Sequence, residues 1–536
     1  MGDDGDSFVR SASLVAGLTL LSRVLGLVRD IACAAFFGAG VVWDAFSFAF
    51  RIPNLFRRLF GEGALSAAFV PVFSEHLELR GKEEAGKLTR RVAGALTVVL
   101  AAVVLFCEVV VLVALIGFDL NPRWQLTLLL TAVLLPYTFL VCLTAFAGAT
   151  LHSLKHFAAP ALAPVVLNVV WIVTVVGVAP ALFATPQRRI FVVAGAILAG
   201  GVAQLLLQLA VLRRKGFTLR PLFDGAYGQI KRIAATMAPV ALGMAAYQLN
   251  VVLDGVIAIS LAGPPDAGPL QFAGFSLPYP LRVGANSVLY YANRVMQAPL
   301  GVFGIALATA AFPTLSRQAA RRDWTGFSRS VLRGLRLVVF IGLPAGVGMM
   351  LARRPLIGLL FQRGAFTPEM AARTARALLC YSAGIWAYCG LHVLTRAFYS
   401  LKRPGVPAAV AGGMVVLNLA ANLMLVWPMA EAGLATSTAA CAAIQVFLLG
   451  FLLRREVPLR GLSGLARTTG KTALATATMA AGTSWVLRSL SGRGDLAQLL
   501  GGVAAGGLIF VASAAVLRME ELHSLLRAIG RSEPRP

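Results

Sequence analysis

Apolar runs of about 20 residues recur along the whole chain, and they restrict its fold more than any other feature. A run of this length matches what an α-helix needs to cross the hydrocarbon core of a bilayer. Charged residues, prolines and glycines bound these runs, which number fourteen. The predicted spans are centred near Leu25, Phe50, Val104, Leu135, Val170, Leu198, Val252, Val302, Ile341, Ile385, Val416, Ile444, Ala477 and Leu508.

The composition is that of a membrane protein rather than a large soluble enzyme. Of the 536 residues, 58% are hydrophobic and 13% are charged, whereas soluble domains carry about 25% charged residues. The first residues, MGDDGDSFVR, lack the basic region and cleavage site of a signal peptide, so we expect the first apolar run to be kept as a helix. The predicted fold class is an all-α polytopic membrane protein with about 14 transmembrane helices.

The distribution of basic residues predicts how the chain is oriented. With the N-terminus inside, the predicted cytoplasmic connections hold 30 Lys and Arg residues and the opposite connections hold 9. Because cytoplasmic loops are enriched in these residues, both termini are predicted to be cytoplasmic. The net charge of +25 is spread over short loops instead of forming one patch with interleaved aromatic residues, which argues against nucleic acid as a partner.

Two pairs of similar segments indicate an internal repeat. Ser66–Lys82 resembles Thr309–Asp323, and the segment from His152 resembles the one from Tyr399, both at an offset of about 245 residues. The repeat predicts two pseudo-symmetric six-helix lobes followed by two extra helices. The predicted divisions are an N-lobe at 1–212, a basic cytoplasmic linker at 213–232, a C-lobe at 233–453, a cytoplasmic connector at 454–467, helices 13 and 14 at 468–517, and a cytoplasmic tail at 518–536.

The stretch Ser22–Gly63 is apolar enough to lie within the bilayer, yet it is rich in charge. Each Arg at the centre of a membrane helix opposes insertion by about 2.5 to 3.5 kcal/mol, so several in one hairpin would cost about 10 kcal/mol if they faced lipid. They must therefore face a wet or anionic interior. The charged residues of this stretch are Arg23, Arg29, Asp30, Asp44, Arg51, Arg57, Arg58 and Glu62.

The repeat adds one arginine to this set. The region around Arg294, within YYANRVMQAP, corresponds to the region around Arg51 at the common offset. Two homologous helical bundles with charge inside the membrane are the layout of a transporter, in which the bundles rock about a site at the midplane. The cavity of such a transporter would be basic on both sides.

Arginine suits a diphosphate because its planar fork donates two parallel hydrogen bonds and stays charged when buried. Basic residues at the ends of spans can instead extend to the membrane surface, and some of the arginines could pair internally. We expect Arg23, Arg29, Arg57 and Arg294 to face the substrate. Arg51 and Arg58 are secondary candidates for the same role. The alternative pairs are Arg29 with Asp30 or Asp44, and Arg58 with Glu62.

The acidic residues of the same stretch are predicted to have a non-catalytic role. General acid and base catalysis needs two carboxylates or a histidine converging on one bond, and nothing in the sequence identifies such a bond. Asp30, Asp44 and Glu62 are therefore expected to orient the arginines or to gate the two halves. No catalytic residue is predicted.

A second polar set suggests a cation site. Carboxylate, amide and hydroxyl oxygens could hold a monovalent cation and couple transport to its gradient, although interhelical hydrogen bonding is the alternative. The sequence has no GxxxxGK[ST] motif, so ATP is not expected as the energy source. The cysteines and histidines show no metal-ligand spacing with an acidic partner. The residues of the set are Asp254, Asn418, Asn422 and Thr438.

Several motifs together resemble one family over nearly the whole chain. They are SRVLGLVRD, FGAG, DAFSFAFRIPNLFRRLFGEGALSAAFVPVF, YYANRVMQAPLGVFGIALATAAFPTLS and LFQRGAFT. On these residues the chain resembles the MurJ (MviN) family, the lipid II flippases of bacterial cell-wall synthesis. Arg23, Arg29, Arg57 and Arg294 match the essential cavity arginines of the family, and Asp44 matches its acidic position after FGAG. Asn293 departs from the family pattern, which often has Asp there.

The resemblance implies the fold of the multidrug/oligosaccharidyl-lipid/polysaccharide exporter (MOP) superfamily, with two lobes and two final helices that form a groove for a lipid tail. It implies lipid II as the substrate, flipped across the bacterial cytoplasmic (inner) membrane by alternating access. We expect a monomer without a cofactor, driven by Na⁺ or H⁺ coupling or by the membrane potential, with membrane lipids and other cell-wall synthesis proteins as partners. The alternatives are a cation or drug exporter of the same fold and a non-transporting scaffold for cell-wall synthesis.

Overall fold

Helices make up almost all of the structure, a computed structural model that describes residues 3–62, 64–225, 227–264, 268–272 and 275–530. The chain divides into two compact units. The first comprises the chain up to Ser260 together with Arg363–Phe366, and the second comprises Leu261–Gln362 and the chain from Thr367 onward. The predicted all-α class is confirmed, whereas the predicted lobe boundaries stay a prediction.

The first unit contains eight helices and two π-helical turns among its described residues. A π-helical turn is a short widening of a helix in which each hydrogen bond spans one residue more than usual. The elements are α1 (Asp3–Phe37), α2 (Val41–Phe56), a π-helical turn (Arg57–Glu62), α3 (Ala64–Gly117), α4 (Pro122–Ser153), α5 (Ala158–Val173), a π-helical turn (Thr174–Val178), α6 (Ala179–Leu182), α7 (Pro186–Arg214) and α8 (Gly228–Ser260).

The second unit begins with short strands, which occupy the connection from Gly263 to Gly284. β1 pairs with β4 in parallel, and β2 pairs with β3 antiparallel. Helices form the rest of its described residues. The elements are β1 (Ala262–Gly263), β2 (Leu270–Phe272), β3 (Phe275–Leu277), β4 (Leu281–Arg282), α9 (Ala285–Pro299), a π-helical turn (Leu300–Gly304), α10 (Ile305–Ala320), α11 (Trp324–Phe361), α12 (Pro368–Ala383), α13 (Ile385–Ser400), α14 (Gly405–Met429), α15 (Glu431–Glu456), α16 (Leu462–Ser489), α17 (Asp495–Val516) and α18 (Glu520–Gly530).

Eight of the described helices are long and apolar enough to cross a membrane, and a ninth span is obtained if α12 and α13, bent by 43°, are taken as one. The charge-rich α2 has only 16 residues and lies outside this group. The structure therefore agrees with a multi-pass membrane protein, and the count of fourteen spans stays a prediction.

The predicted linker 213–232 lies partly on α3 instead of extending freely from the unit. Phe217 is buried and its ring lies 5.7 Å from that of Phe73. The amide of Leu222 donates to the carbonyl of Arg90 at 3.2 Å, and Arg91 pairs with Asp224 at 2.5 Å. The described part of the linker is thus attached to the first unit by both apolar and polar contacts.

The second unit has two apolar clusters that join its long helices. One includes Phe327 of α11, Phe398 of α13 and Leu453 of α15. The other joins the same α11 to the C-terminal helices through Phe340 and Phe510, whose ring centroids are 5.2 Å apart. Within a membrane such clusters stabilise the packing of helices through close van der Waals contact.

Candidate functional site

The predicted site begins where α1 ends and α2 starts. Gly38 has a φ of 62°, a conformation that glycine adopts without strain, and the chain turns here. Asp44 lies in the first turn of α2, where a carboxylate interacts favourably with the helix dipole. Asp44 is buried, as are most of its neighbours in this helix.

Arg29 of α1 forms a buried ion pair with the next residue. Its Nε and Nη2 both donate to Oδ1 of Asp30, at 3.1 and 2.7 Å. Arg29 is 7% exposed and Asp30 is 3% exposed. Of the two internal partners that the sequence offered for Arg29, the structure places Asp30 in contact.

Two residues of α5 also contact Arg29, and the sequence did not predict them. Oδ1 of Asn168 accepts a hydrogen bond from Arg29 Nη1 at 3.1 Å. The guanidinium carbon lies 4.4 Å from the ring centroid of Trp171, a cation–π distance. Their only signal in the sequence is an amide and an indole in the apolar run VVLNVVW, three residues apart and thus on one helical face.

Arg57 lies in the π-helical turn that follows α2. Its Nε and Nη2 donate to Oδ1 of Asn54, at 2.9 and 2.7 Å, and the residue is half-buried. Arg51, also half-buried, donates from Nη1 to the carbonyl of Val251 in α8 at 3.1 Å. Arg58 is half-buried too.

The other charged residues of the opening stretch are less enclosed or lie outside the described side chains. Arg23 is exposed. The side chain of Glu62 lies outside the described residues, so the predicted pair between Arg58 and Glu62 stays a prediction. The first unit thus brings Arg29 and Asp30 together, and it places Arg51 and Arg57 on α2 and its π-helical turn.

Arg294 belongs to α9 of the second unit. It is exposed, and its guanidinium carbon lies 5.9 Å from the ring centroid of Tyr290, one turn earlier. Asn293, where the family often has an acid, accepts a hydrogen bond from Gln297. α9 is followed by a π-helical turn directly after Pro299, and α2 is followed by one that begins four residues after Pro53.

The residues of the predicted cation site are distributed over both units. Asp254 lies in α8 of the first unit. In the second unit, Asn418 and Asn422 are buried in α14, and Asn422 accepts a hydrogen bond from the hydroxyl of Ser437. Thr438 of α15 donates to the carbonyl of Leu434 in the same helix. Within the described part of the chain, no group of three or more His, Cys, Asp and Glu residues is arranged to hold a metal ion.

His156 lies in the connection between α4 and α5. Burial, with a smaller effect of Lys215, lowers the pKa of this imidazole below its usual range. The ring is therefore neutral at pH 7.

The fold is shared with solved membrane transporters. The structure superposes on a solved lipid II flippase MurJ in an inward closed conformation with a TM-score of 0.73 and 21% identity, covering 94% of this chain and 98% of the other. It also matches an inward-facing multidrug resistance MATE family transporter of the MOP superfamily, with a TM-score of 0.64, 15% identity, and coverage of 86% and 100%.

Sequence comparison then gives the family. The family model for lipid II flippase MurJ matches residues 33–503. The Vibrio cholerae protein named "Probable lipid II flippase MurJ" is 33% identical over 499 residues, which is 90% of each chain. The chain belongs to the MurJ family of lipid II flippases, and the family resemblance noted from the sequence is confirmed. Arg57 and Arg294 lie within the segment that the family model matches.

Proposed function

We propose that this chain is a lipid II flippase. It moves the undecaprenyl-diphosphate-linked peptidoglycan precursor from the inner to the outer leaflet of the bacterial cytoplasmic membrane, with both of its own termini in the cytoplasm. The match of the family model to residues 33–503 carries this proposal. The step is transport, without bond making or breaking, and requires no catalytic residue.

The arginines of the first unit provide the diphosphate-binding chemistry. Arg51 and Arg57 are half-buried, and partial burial strengthens a charge-assisted hydrogen bond to phosphate. A bound diphosphate in turn offsets the cost of keeping these charges away from water. Arg57 lies in a π-helical turn, an irregularity that is frequent at functional sites.

The arginines are proposed to act in different ways because their surroundings differ. Arg57 and the exposed Arg23 contact the diphosphate directly, while Arg51 and Arg58 contribute to the positive potential. Arg29 is neutralised by Asp30, so it binds the diphosphate by exchanging part of its contact with Asp30 for contact with phosphate. Arg294 of the second unit is proposed as a further ligand. Asp44 and Glu62 act in gating, a role suited to carboxylates that can pair with arginines when the substrate is absent.

Alternating access is the proposed mechanism. Rocking of two helical lobes about a fixed anion site would expose the diphosphate first to one side of the membrane and then to the other. The lipid tail stays in the bilayer, guided by α16 and α17. These two helices pack closely through glycines such as Gly502 and Gly506, and α17 leaves Leu500, Val503 and Leu508 exposed on its surface.

The energy source is proposed to be a cation gradient, of Na⁺ or H⁺, or the membrane potential. Asp254, Asn418, Asn422 and Thr438 would supply carboxylate, amide and hydroxyl oxygens to the cation. Translocation by the chain in liposomes, measured with and without an imposed Na⁺ gradient, pH gradient or potential, tests this directly. We propose that the chain works as a monomer and that other cell-wall synthesis proteins deliver or consume the lipid.

Replacement of Arg57 tests the proposed site. Arg57→Glu should reduce the lipid II translocated into the outer leaflet of liposomes by about a hundredfold, because two charge-assisted contacts of about 1.5 kcal/mol each are lost and repulsion is added. Arg57→Lys should retain part of the activity, since it keeps the charge but loses the fork.

Arg188→Glu is the matched control, because Arg188 is exposed at the start of α7 and faces no proposed ligand. Undiminished translocation by Arg57→Glu, at normal membrane levels, would contradict the assignment of Arg57. The cation-exporter alternative would instead predict cation transport that is independent of lipid II, and the scaffold alternative would predict no translocation by the purified chain.

A further inference from the structure

We propose that Asn168 and Trp171 of α5 are positioning residues that hold the guanidinium of Arg29 in the orientation required for the diphosphate. This inference rests on the proposed function and deepens it. It follows from contacts within the first unit, between α1 and α5, which the sequence did not predict.

The side-chain amide of Asn168 links Arg29 to the backbone of α1, the helix that carries Arg29, because its oxygen and its nitrogen each make a hydrogen bond. Its Oδ1 accepts from Arg29 Nη1 at 3.1 Å, and its Nδ2 donates to the carbonyl of Ser22 at 3.1 Å, about two turns earlier in α1. The residue is 5% exposed. An asparagine fits this position because a single side chain must both accept and donate, which neither an aspartate nor an aliphatic residue can do.

Trp171 supports the flat face of the same guanidinium. The indole lies 4.4 Å from the guanidinium carbon. Its own orientation is fixed by edge-on contacts with Phe46 and Phe50 of α2, at centroid distances of 5.6 and 5.1 Å. Phe50 in turn stacks on Tyr137 of α4 at 6.0 Å. An aromatic network from three helices therefore fixes the plane against which Arg29 lies.

The guanidinium of Arg29 is thus held along two edges and one face. Asp30 contacts one edge, Asn168 the other, and Trp171 the face. A long side chain that is already held in its binding orientation loses less conformational entropy when it binds a ligand. Asn168 should consequently affect diphosphate affinity only through Arg29, and a double-mutant cycle measures such dependence.

The experiment measures binding of lipid II to the full chain in nanodiscs for Asn168→Ala, Arg29→Lys and the double variant. Asn168→Ala should weaken binding about tenfold, which corresponds to about 1.4 kcal/mol. In the Arg29→Lys background, which keeps the charge but not the fork, the same change should weaken binding by less than about twofold. Trp171→Phe should retain more affinity than Trp171→Leu, because only an aromatic ring supports a cation–π contact.

Asn121→Ala is the matched control for stability. Asn121 caps α4 in the same unit by accepting from the amides of Arg123 and Trp124, so its loss should lower the unfolding temperature while leaving the affinity for lipid II unchanged. Equal losses of affinity from Asn168→Ala in the wild-type and Arg29→Lys backgrounds would overturn the positioning role, as would an equal loss in Asn121→Ala.

Binding of inorganic pyrophosphate, measured on the same variants, separates this inference from the proposed function. A chain that binds pyrophosphate with the predicted dependence on Asn168 but does not bind lipid II supports the positioning role and contradicts the flippase assignment. A wild-type chain that binds neither probe overturns both.

Discussion

The buried ion pair of the second unit gives the sharpest prediction about stability. Arg373 of α12 donates from Nε to Oε1 of Glu431 in α15 at 2.9 Å, and both residues are 7% exposed. The same guanidinium donates to the carbonyls of Val283 at 2.9 Å and Arg282 at 3.1 Å. One side chain thus connects two helices to the chain just before α9, the helix that carries Arg294.

The cost of breaking this pair can be estimated from its burial. Removing one member of a buried ion pair destabilises a protein by about 3–5 kcal/mol, because the remaining charge loses its partner. Arg373→Met should fall in this range. The double variant Arg373→Met/Glu431→Met removes both charges and should cost only about 1–3 kcal/mol, mainly from the two backbone carbonyls that lose their donor. The double variant is therefore expected to be more stable than Arg373→Met alone.

Equilibrium unfolding of the purified chain in mixed micelles with increasing SDS measures these differences. Arg282→Ala is the control, because its pair with Glu369 lies on the same connection at 2.8 Å but the two side chains are 75% and 64% exposed. Such a pair contributes about 0–1 kcal/mol. The reasoning would be refuted if the double variant lost as much free energy of unfolding as Arg373→Met and Glu431→Met lose together when measured singly, since the two charges would then act independently.

Two further predictions concern packing and the linker. Gly433→Ala should destabilise the second unit by about 1–3 kcal/mol, because the new Cβ would clash with the carbonyl of Leu425. At Gly412 an added Cβ meets nothing within 4 Å, so Gly412→Ala should be neutral or stabilising by about 0.5–1 kcal/mol. Unfolding temperatures measure both effects. Asp224→Ala removes the contact with Arg91, so trypsin should cleave the linker faster while the unfolding temperature changes little.

Equal stabilisation by the two glycine variants would show that helix propensity, rather than close packing, decides the effect. An unchanged rate of linker cleavage in Asp224→Ala would show that the pair between Arg91 and Asp224 is not needed to hold the linker on α3.

The fold class followed from the sequence because length and apolarity are local properties. Runs such as those of α4 and α7 are long enough to span a bilayer, and they form helices of 32 and 29 residues. The sequence did not predict the residues at which the charged helices end. α2 ends in a π-helical turn four residues after Pro53. Proline lacks the amide hydrogen that would bond to the carbonyl four residues earlier, so it perturbs the turn before it, and Pro53 alone does not predict a π-helical turn after it.

The candidate site was predicted in its residue types but not in its contacts. The charge of the opening stretch pointed to Arg29 and Arg57, whereas their hydrogen-bond partners depend on how helices pack. Asn168 is 139 residues from Arg29 in sequence, and no periodicity within either helix connects the two. The linker is a similar case, since its contact with α3 brings together Arg91 and Asp224, which are 133 residues apart.

The pairing of Arg29 with Asp30 changes the charge that the first unit can offer to a diphosphate. The sequence left open whether Arg29 faces the substrate or pairs with Asp30 or Asp44. An arginine that donates twice to a buried carboxylate contributes little net potential beyond a few ångströms. Arg29 should therefore act at short range, once phosphate competes with Asp30 for its hydrogen bonds. If Arg29 binds the diphosphate as proposed, Asp30 and the phosphate compete for the same guanidinium, so Asp30 should set how tightly Arg29 binds the diphosphate and how readily it releases it.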